Sequence, residues 1–406
     1  MESDSQCDPL FPVKGKLRLC VVRGKGSYLY SDSGQKILDL YTGHGVALLG
    51  HGYAPYVRGL KSQLSDFAFM STLAVFPDRE KAAQRLLDLC GPAHTKVFFI
   101  NSGAEANEVA IKIARKASGK QRIFAFEGGF HGRTWATLSA CGLPPYRGSW
   151  KLDPDMTVLP WDDAATLEAQ DFSQVAAILL EPIQGLAGIR VASQAFYDAV
   201  NRVTRESGAV LIADEIQAGL GRTGKFLSSE HFGLNPGIAT LAKGLANGLP
   251  ASAVVVHKNL EETIAPGDHG STFGGGPLVS RAILLTLEAI QSKDLMGKAD
   301  GLGRFLRKQL SQVPGVIEVR GKGLFIGFKT PYRGATVRDA LLEKGVWIGV
   351  SDDPFVLRLL PPLTLKRGEA KEFLSTLRST LEELRAREAA TAAAPTPAET
   401  STGAVR

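Results

Sequence analysis

The chain of 406 residues contains little cysteine, and this scarcity argues against several kinds of protein. Its four cysteines, Cys7, Cys20, Cys90 and Cys141, are scattered along the sequence and form no CxxC pair. A disulfide framework or a thiolate zinc site is therefore not expected, whereas a reducing compartment is. We accordingly expect a cytoplasmic protein.

Long hydrophobic runs and dense basic clusters are also absent from the sequence. No apolar run approaches the ~20 residues that a membrane span requires, so no membrane association is expected. The opening sequence MESDSQCDPL is acidic and polar, which is unlike a signal peptide. The net charge of +6 is mild for this length, and basic residues do not alternate densely with aromatic ones. We therefore expect no nucleic-acid partner and favour an enzyme of small anionic molecules.

The rest of the composition is that of a globular protein, with 44% hydrophobic and 22% charged residues. The length favours two domains or one large domain with lobes. Short apolar runs, which predict buried strands, occur at 95–100, 122–127, 176–181, 209–214 and 252–256. Helical periodicity covers 104–119 and 193–208, and a glycine follows or ends each of these segments. Strands buried on both faces and separated by helices predict an α/β fold with a mostly parallel sheet wrapped by helices.

The C-terminal part of the chain has a different pattern. It predicts a hairpin over 315–329, a helix followed by a strand over 336–350, a strand interrupted by a turn over 355–365, and an amphipathic helix over 367–390. We interpret 286–390 as a smaller α+β domain that follows a large domain over 49–285. The segment 391–406 lacks large apolar residues, so we expect a disordered tail.

The predicted strand 209–214 ends in an acidic pair, Asp214 and Glu215. An aspartate is almost never fully buried without a partner, because an isolated buried carboxylate costs several kcal/mol or takes up a proton. Asp214 therefore predicts a positively charged group at the end of this strand.

A phosphate-binding turn is one interpretation of NSGAEANE at 101–108, which joins a predicted strand to the start of a helix. Backbone N–H groups at a helix start lack intrahelical partners and lie at the positive end of the dipole. Ser102, Gly103 and Ala104 could therefore offer donors to a phosphate. The alternative is that Asn101 or Ser102 simply caps the helix.

Two further segments contain candidate functional residues. The glycine-rich loop at 125–139 exposes Phe130 and His131, which could stack on a planar ring, and Arg133, which could grip a carboxylate. A turn with a surface arginine explains this loop equally well. In LAKGLANGLP, at 241–250, Lys243 lies among small and apolar residues, where a lysine can lose its proton and act as a Schiff-base nucleophile. The alternative is a solvated loop lysine.

Taken together, these groups match pyridoxal 5'-phosphate (PLP). Asp214 would face the pyridine nitrogen and keep it protonated, which makes the ring an electron sink. The helix start would hold the phosphate, and Phe130 would stack on the ring. All of these groups follow strand ends, where open α/β sheets bind ligands.

The sequence also resembles class III PLP-dependent aminotransferases. The resemblance rests on LIADEIQAGLGRTGKF at 211–226, LAKGLANGLP at 241–250 and HGSTFGGGPL at 269–278, and it extends from 21 to 364. The segments GHGVALLGHG, FHGRTWATLS and LLEPIQG are similar to the acetylornithine and ornithine aminotransferase branch. The resemblance implies PLP fold type I, homodimers with shared active sites, and a small domain that includes 1–48.

The resemblance also implies a role for individual residues. Lys243 would carry the cofactor and move the proton, while Asp214 pairs with the ring nitrogen and Gln217 with the ring hydroxyl. Thr272 would reach the phosphate of the neighbouring subunit's site. Arg133 would bind the carboxylate of the ω-amino substrate, and Arg358 the α-carboxylate of glutamate or 2-oxoglutarate.

Two positions depart from the pattern of the family. Lys14 occupies a place where the branch usually has a tyrosine, and Leu186 replaces a glutamate that usually pairs with the arginine at position 358. We therefore expect that Arg358 is solvated, binds an anion, or is covered by another carboxylate, for which Glu181 is the nearest candidate. The alternative is that Leu186 packs the wall of a pocket for a longer or acylated donor.

The sequence thus predicts an aminotransferase that moves the ω-amino group of N-acetylornithine, or of a related acylated diamino acid, to 2-oxoglutarate. The products are a semialdehyde and glutamate, and the expected pathway is arginine or lysine biosynthesis. Alternatives are an ornithine, 4-aminobutyrate or diamine aminotransferase, an aminomutase acting on glutamate semialdehyde, and a non-catalytic binding protein on the same scaffold.

Overall fold

A computed structural model describes residue 17 and residues 19–393 of the chain. Lys14 and Cys7 lie outside the described residues, so the interpretation of Lys14 stays a prediction. Of the predicted tail, residues 391–393 are described, and they form the end of the last helix. The remainder, 394–406, lies outside the described residues.

A seven-stranded sheet forms the centre of the described structure, and one of its strands runs antiparallel to its neighbours. In spatial order the strands are β4 (His94–Ile100), β10 (Ser252–His257, the antiparallel one), β9 (Ile238–Leu241), β8 (Val210–Asp214), β7 (Val175–Leu180), β5 (Arg122–Phe126) and β6 (Met156–Leu159). The predicted α/β fold with a mostly parallel sheet is confirmed. The sequence did not reveal β6 and β9, because four-residue runs are too short for periodicity to identify.

The helix α4 (Gly103–Ser118) shows how local sequence sets the boundaries of these elements. Ser102 and Glu105 form a reciprocal capping box at its start, and Gly119, with φ 67°, ends it in the left-handed conformation. Ala106, Ala110 and Ile113 form its buried face against the sheet. Full burial of an isoleucine stabilises the fold by about 1.5–3 kcal/mol, so this face holds the helix start in a fixed position.

Two smaller sheets flank the central one. The first has the order β1 (Val21–Lys25), β2 (Tyr28–Ser31), β3 (Lys36–Asp39), β13 (Val346–Trp347), so it joins the N-terminal strands to a C-terminal one. The second has the order β11 (Glu318–Lys322), β12 (Phe325–Lys329), β15 (Val356–Leu359), β14 (Gly349–Val350). In its register, Gly349 of β14 lies opposite Arg358 of β15.

Helices cover the sheets on the outside. They are α1 (Thr42–Gly45), α2 (Ala54–Asp66), α3 (Pro77–Cys90), α4, α5 (Trp135–Ser139), α6 (Pro144–Arg147), α7 (Ala164–Glu168), α8 (Gln194–Ser207), α9 (Pro277–Ser292), α10 (Leu295–Leu310), α11 (Gly334–Glu343) and α12 (Arg367–Ala393). Within the described part of the chain, no helix is both long and apolar enough to cross a membrane.

Candidate active site

A cavity of about 340 Å³ opens where four strands of the central sheet end. Six residues that the sequence singled out line it: Ser102, Gly103, Ala104, Phe130, His131 and Lys243. They follow β4, β5 and β9, and the chain after β8 adds Ile216 to the wall. The fold therefore brings together segments that are far apart in the sequence.

The start of α4 forms one wall of this cavity. The Ser102 hydroxyl accepts a hydrogen bond from the Glu105 N–H at 3.2 Å, so this serine does cap the helix, as the alternative interpretation proposed. Gly103 must lack a side chain, because a Cβ there would lie 2.7 Å from Cδ1 of Ile216. The helix start thus presents bare backbone to the cavity, a geometry that is suited to an anion.

Asp214 is buried at the end of β8, with 3% of its surface exposed, and it does not itself line the cavity. Its Oδ2 accepts hydrogen bonds from Nδ1 of His131 at 2.7 Å and from Nδ2 of Asn107 at 2.8 Å. The backbone N–H of Ile216 donates to Oδ1 at 3.2 Å. These three contacts hold the carboxylate in one orientation beside the cavity.

Asn107 is a member of this site that the sequence did not reveal. Its amide nitrogen donates to Asp214 and to the carbonyl of His131, and its amide oxygen accepts from the Thr240 hydroxyl at 2.7 Å. The residue is fully buried on the apolar face of α4, beside Ala106 and Ala110. A polar residue on an apolar helix face was the one available signal, because a buried amide requires hydrogen-bond partners.

Lys243 begins a short 3-10 helix after β9 and has a positive φ of 45°. Such a backbone conformation is uncommon for residues other than glycine and occurs often at functional sites. Burial lowers the pKa of the Lys243 amine, and the charge of Arg358 lowers it further, while Asp214 and Glu181 act in the opposite direction. A neutral amine is therefore more accessible here than in water, which is the condition for a lysine nucleophile.

Phe130 and Arg133 lie in the loop after β5. The Phe130 ring packs edge-on against Tyr146 at 5.4 Å between centroids, and its backbone N–H donates to Oε1 of Glu181 at 2.9 Å. Arg133 is exposed, and its guanidinium carbon lies 5.0 Å from the centre of the Tyr146 ring. Arg133 does not line the cavity, although it lies beside the loop that does.

The Arg358 surroundings differ from the sequence-based expectation. Arg358 is neither solvated nor paired with Glu181, because it is 1% exposed and both Glu181 oxygens accept from backbone N–H groups, those of Phe130 and Gly185. Among the described residues, no carboxylate lies within ion-pair distance of the guanidinium. Burial and then the charge of Asp214 raise the pKa of Glu181 to about 7.

Three other predicted residues lie outside the cavity wall. Gln217 donates from Nε2 to the His44 carbonyl at 2.9 Å, while its Oε1 is 3.4 Å from Nη1 of Arg358. Leu186 is half-buried, and its carbonyl accepts from the Asp352 N–H at 2.9 Å. Thr272 is exposed on the loop before α9. Their roles in binding the cofactor or substrate stay predictions.

Comparison with known proteins identifies the family. Residues 11–381 match the aminotransferase class-III family. The acetylornithine aminotransferase of Bacillus subtilis is 40% identical over 377 residues, which cover 92% of this chain and 97% of that protein. The acetylornithine aminotransferase of Methanocaldococcus jannaschii is 38% identical over 386 residues, with 92% and 96% covered.

Comparison of folds agrees with the sequence matches. The structure superposes on the ornithine aminotransferase of Toxoplasma gondii with a TM-score of 0.87 at 26% identity, covering 94% of each chain. In that structure PLP partially occupies the active site. The cavity lined by Lys243 with Asp214 buried beside it, the family match and the superposition all agree, and the chain belongs to the class III aminotransferases.

Proposed function

We propose that the protein transfers the ω-amino group of N-acetylornithine, or of a related acylated diamino acid, to 2-oxoglutarate with PLP as its cofactor. The products are a semialdehyde and glutamate, and the pathway is arginine or lysine biosynthesis in the cytoplasm. The observation that carries the proposal is that Lys243 and the start of α4 line the same cavity. Burial lowers the pKa of the Lys243 amine, and the helix start offers backbone N–H groups to a phosphate. The curated relatives at 38% and 40% identity support the choice of donor.

The residues present fit PLP. Gly103 and Gly132 bring the helix start and the loop after β5 into close contact, because a Cβ on Gly103 would lie 2.7 Å from Cδ1 of Ile216 and a Cβ on Gly132 would lie 2.6 Å from Oγ1 of Thr137. Both glycines also line the cavity, so the backbone at the helix start faces it without a side chain in between. Ser102, Gly103 and Ala104 would hold the phosphate, Phe130 and His131 would contact the ring, and Asp214 would face its nitrogen. When bound, this cofactor supplies a carbonyl group that receives the amino group and an electron-poor ring that stabilises adjacent negative charge.

Each protein group then has a separate task. Lys243 attaches the cofactor and moves a proton with its Nζ, which its lowered pKa favours. Asp214, held by His131 and Asn107, would face the ring nitrogen. Arg133 binds the carboxylate of the ω-amino donor, and Arg358 binds the α-carboxylate of glutamate or 2-oxoglutarate.

Glutamate formation by the purified holoenzyme tests this proposal. The panel of donors is N-acetylornithine, ornithine, 4-aminobutyrate and a diamine, each with 2-oxoglutarate, with Lys243→Ala as the inactive control. We expect the highest kcat/KM with N-acetylornithine. A higher kcat/KM with ornithine or 4-aminobutyrate would assign that compound as the amino donor in place of N-acetylornithine. The absence of glutamate with every donor would contradict the proposal. Isomerisation of glutamate semialdehyde without an acceptor would identify an aminomutase instead.

We also infer that two copies of the chain form a homodimer through an exposed apolar patch. The patch comprises Leu64, Phe67, Phe69, Leu73, Val75 and Phe273, all exposed in the single chain. The rings of Phe69 and Phe273 lie 5.5 Å apart, so the two segments of the patch adjoin. Exposed apolar clusters of this kind mark protein interfaces. Thr272 precedes Phe273 and would therefore lie at the interface, which fits its implied contact with the partner's cofactor.

Sedimentation of the holoenzyme tests the inferred dimer. Wild-type protein should sediment as a dimer, and Phe273→Glu should shift the population toward monomer because a buried unpaired carboxylate is costly at an interface. A wild-type monomer with full activity would contradict the inferred dimer.

A further inference from the structure

Arg358 is held entirely by neutral groups. Its Nε donates to the Val350 carbonyl at 2.9 Å, and its Nη1 donates to the Gly185 carbonyl at 3.2 Å and to Gln217 Oε1 at 3.4 Å. Its Nη2 donates to the Tyr41 hydroxyl at 3.2 Å. These four hydrogen bonds leave at least one of the five guanidinium N–H groups without a protein acceptor among the described residues. An incoming carboxylate therefore has an N–H to bind and no internal ion pair to displace.

The contact between Tyr41 and Arg358 has a defined direction. The Tyr41 hydroxyl oxygen lies 2.5 Å from Nδ1 of His44. Partial burial, followed by the charges of Arg358 and Lys243, lowers the pKa of His44 to about 4, so its ring is neutral near pH 7. Burial raises the pKa of Tyr41, so the phenol keeps its proton. In the neutral tautomer that carries the ring proton on Nε2, Nδ1 of His44 accepts the Tyr41 proton, and Tyr41 accepts from Nη2 of Arg358 with a lone pair.

The backbone that carries His44 is unusual. All four residues of α1 have positive φ, from 48° at Thr42 to 87° at Gly45. This conformation is unfavourable for a β-branched residue such as Thr42, and it persists only where the surroundings impose it. Asp39 Oδ1 accepts from the Thr42 N–H at 2.7 Å, and the Thr42 hydroxyl donates to the Leu360 carbonyl at 2.7 Å. The left-handed turn is therefore fixed from two sides.

Two glycines make room for the side chains that flank Arg358. A Cβ on Gly349 would lie 2.3 Å from Cε2 of Tyr41, and a Cβ on Gly185 would lie 2.1 Å from Oε1 of Gln217. Gly349 lies opposite Arg358 in the sheet register, so the Tyr41 ring fills the space beside the guanidinium. The close fit indicates that the position of Tyr41 is built into the fold.

We propose that Tyr41 and His44 are positioning residues that set how tightly a substrate carboxylate binds at Arg358. Tyr41 accepts a hydrogen bond from one Nη2 N–H and so orients the guanidinium. His44 holds the Tyr41 hydroxyl in the orientation that directs a lone pair at Arg358. The second Nη2 N–H and the weakly held Nη1 N–H are then left for the two oxygens of a carboxylate. The inference rests on the proposed function, because it deepens the description of the 2-oxoglutarate site.

Binding of glutarate to the holoenzyme tests the role of this pair. Glutarate carries two carboxylates but no keto or amino group, so calorimetry measures its binding without turnover. The variants are Tyr41→Phe, His44→Ala and His44→Asn, because the Oδ1 of asparagine can replace Nδ1 as acceptor and asparagine tolerates positive φ. Tyr30→Phe is the matched control, since its ring also contacts an arginine, Arg23, at 4.0 Å.

We expect Tyr41→Phe and His44→Ala to weaken glutarate binding and raise the KM for 2-oxoglutarate by about 10-fold. The kcat at saturating 2-oxoglutarate and the single-turnover rate with the amino donor should stay within about threefold of wild type, because these steps do not require the carboxylate contact. His44→Asn should restore most of the affinity, and Tyr30→Phe should have no effect.

Three outcomes would overturn the inference: unchanged glutarate affinity in both disruptive variants, a His44→Asn variant as weak as His44→Ala, or an equal loss in the donor half-reaction. If wild-type protein forms no glutamate from any donor but glutarate binding still depends on Tyr41, the proposed function fails and the inference stands.

Discussion

Replacement of Asp214 by alanine is expected to lower kcat by about two to four orders of magnitude and to leave a folded protein. The carboxylate is buried, and its Oδ2 accepts from His131 at 2.7 Å and from Asn107 at 2.8 Å. Its removal leaves Nδ1 of His131 and one of the two N–H groups of Asn107 without an acceptor, at a cost of about 1–3 kcal/mol each. Removal of one partner from a buried charged pair costs a similar amount, about 3–5 kcal/mol. Each increase of about 1.36 kcal/mol in the activation free energy lowers the rate by a factor of ~10.

Two measurements separate the effect on chemistry from the effect on folding. Urea denaturation of the cofactor-free protein gives the loss of stability, and a single-turnover reaction with N-acetylornithine gives the loss of rate. Asp153→Ala is the matched control, because Asp153 is also buried and pairs with Arg115 at 2.9 Å. It does not line the cavity, so it should lose stability and keep its turnover.

The reasoning about Asp214 would be refuted if the kcat of Asp214→Ala lay within about tenfold of the wild-type value. Such a change corresponds to less than about 1.4 kcal/mol of activation free energy. An equally large loss of kcat in Asp153→Ala would also refute it, because the effect would then follow folding and not the charge beside the cofactor.

Three further predictions concern the same region. Borohydride reduction of the holoenzyme followed by peptide mapping should find the pyridoxyl group on Lys243, and label on another lysine would contradict its assignment. Burial and then the charge of Asp214 raise the pKa of Glu181 from 4.5 to about 7. The contribution of the protonated Glu181 side chain to the free energy of unfolding is therefore complete below pH 4.5 and is lost as the pH rises through 7. The Tm of wild type minus that of Glu181→Gln should therefore fall between pH 5 and 8, and a constant difference would argue against the raised pKa. Leu186→Glu should shift the products from free ornithine toward transfer of the δ-amine, as read by mass spectrometry, whereas strict ω-selectivity in both proteins would show that position 186 does not select the reacting end.

Local sequence patterns predicted the elements that position the site. The helix over 104–119 became α4, with Ser102 and Gly119 at its ends, because capping and glycine stops act within one turn of the backbone. The apolar run before Asp214 became β8, which is buried throughout. Strand ends in a parallel sheet meet at one edge, so Phe130, Ser102 and Lys243 could be expected to lie together, and all three line the cavity.

The sequence did not predict the hydrogen bonds between distant segments. Asn107 and Asp214 are 107 positions apart, and Tyr41 and Arg358 are 317 apart. Periodicity identifies which face of an element is buried, but it does not say which polar group of another element will meet it. The partners of Arg358 show this limit, since the sequence suggested Glu181 and the fold supplies Tyr41 and backbone carbonyls.

The amino-acid sequence by itself thus determined the α/β class, the order of the main elements and six residues of the cavity wall, because these depend on apolar periodicity and turn residues along the chain. The orientation of Asp214, the neutral surroundings of Arg358 and the left-handed turn at His44 became visible only in the folded chain. They depend on packing between β3, β8, α4 and β15, and close packing fixes which distant polar groups come within hydrogen-bond distance.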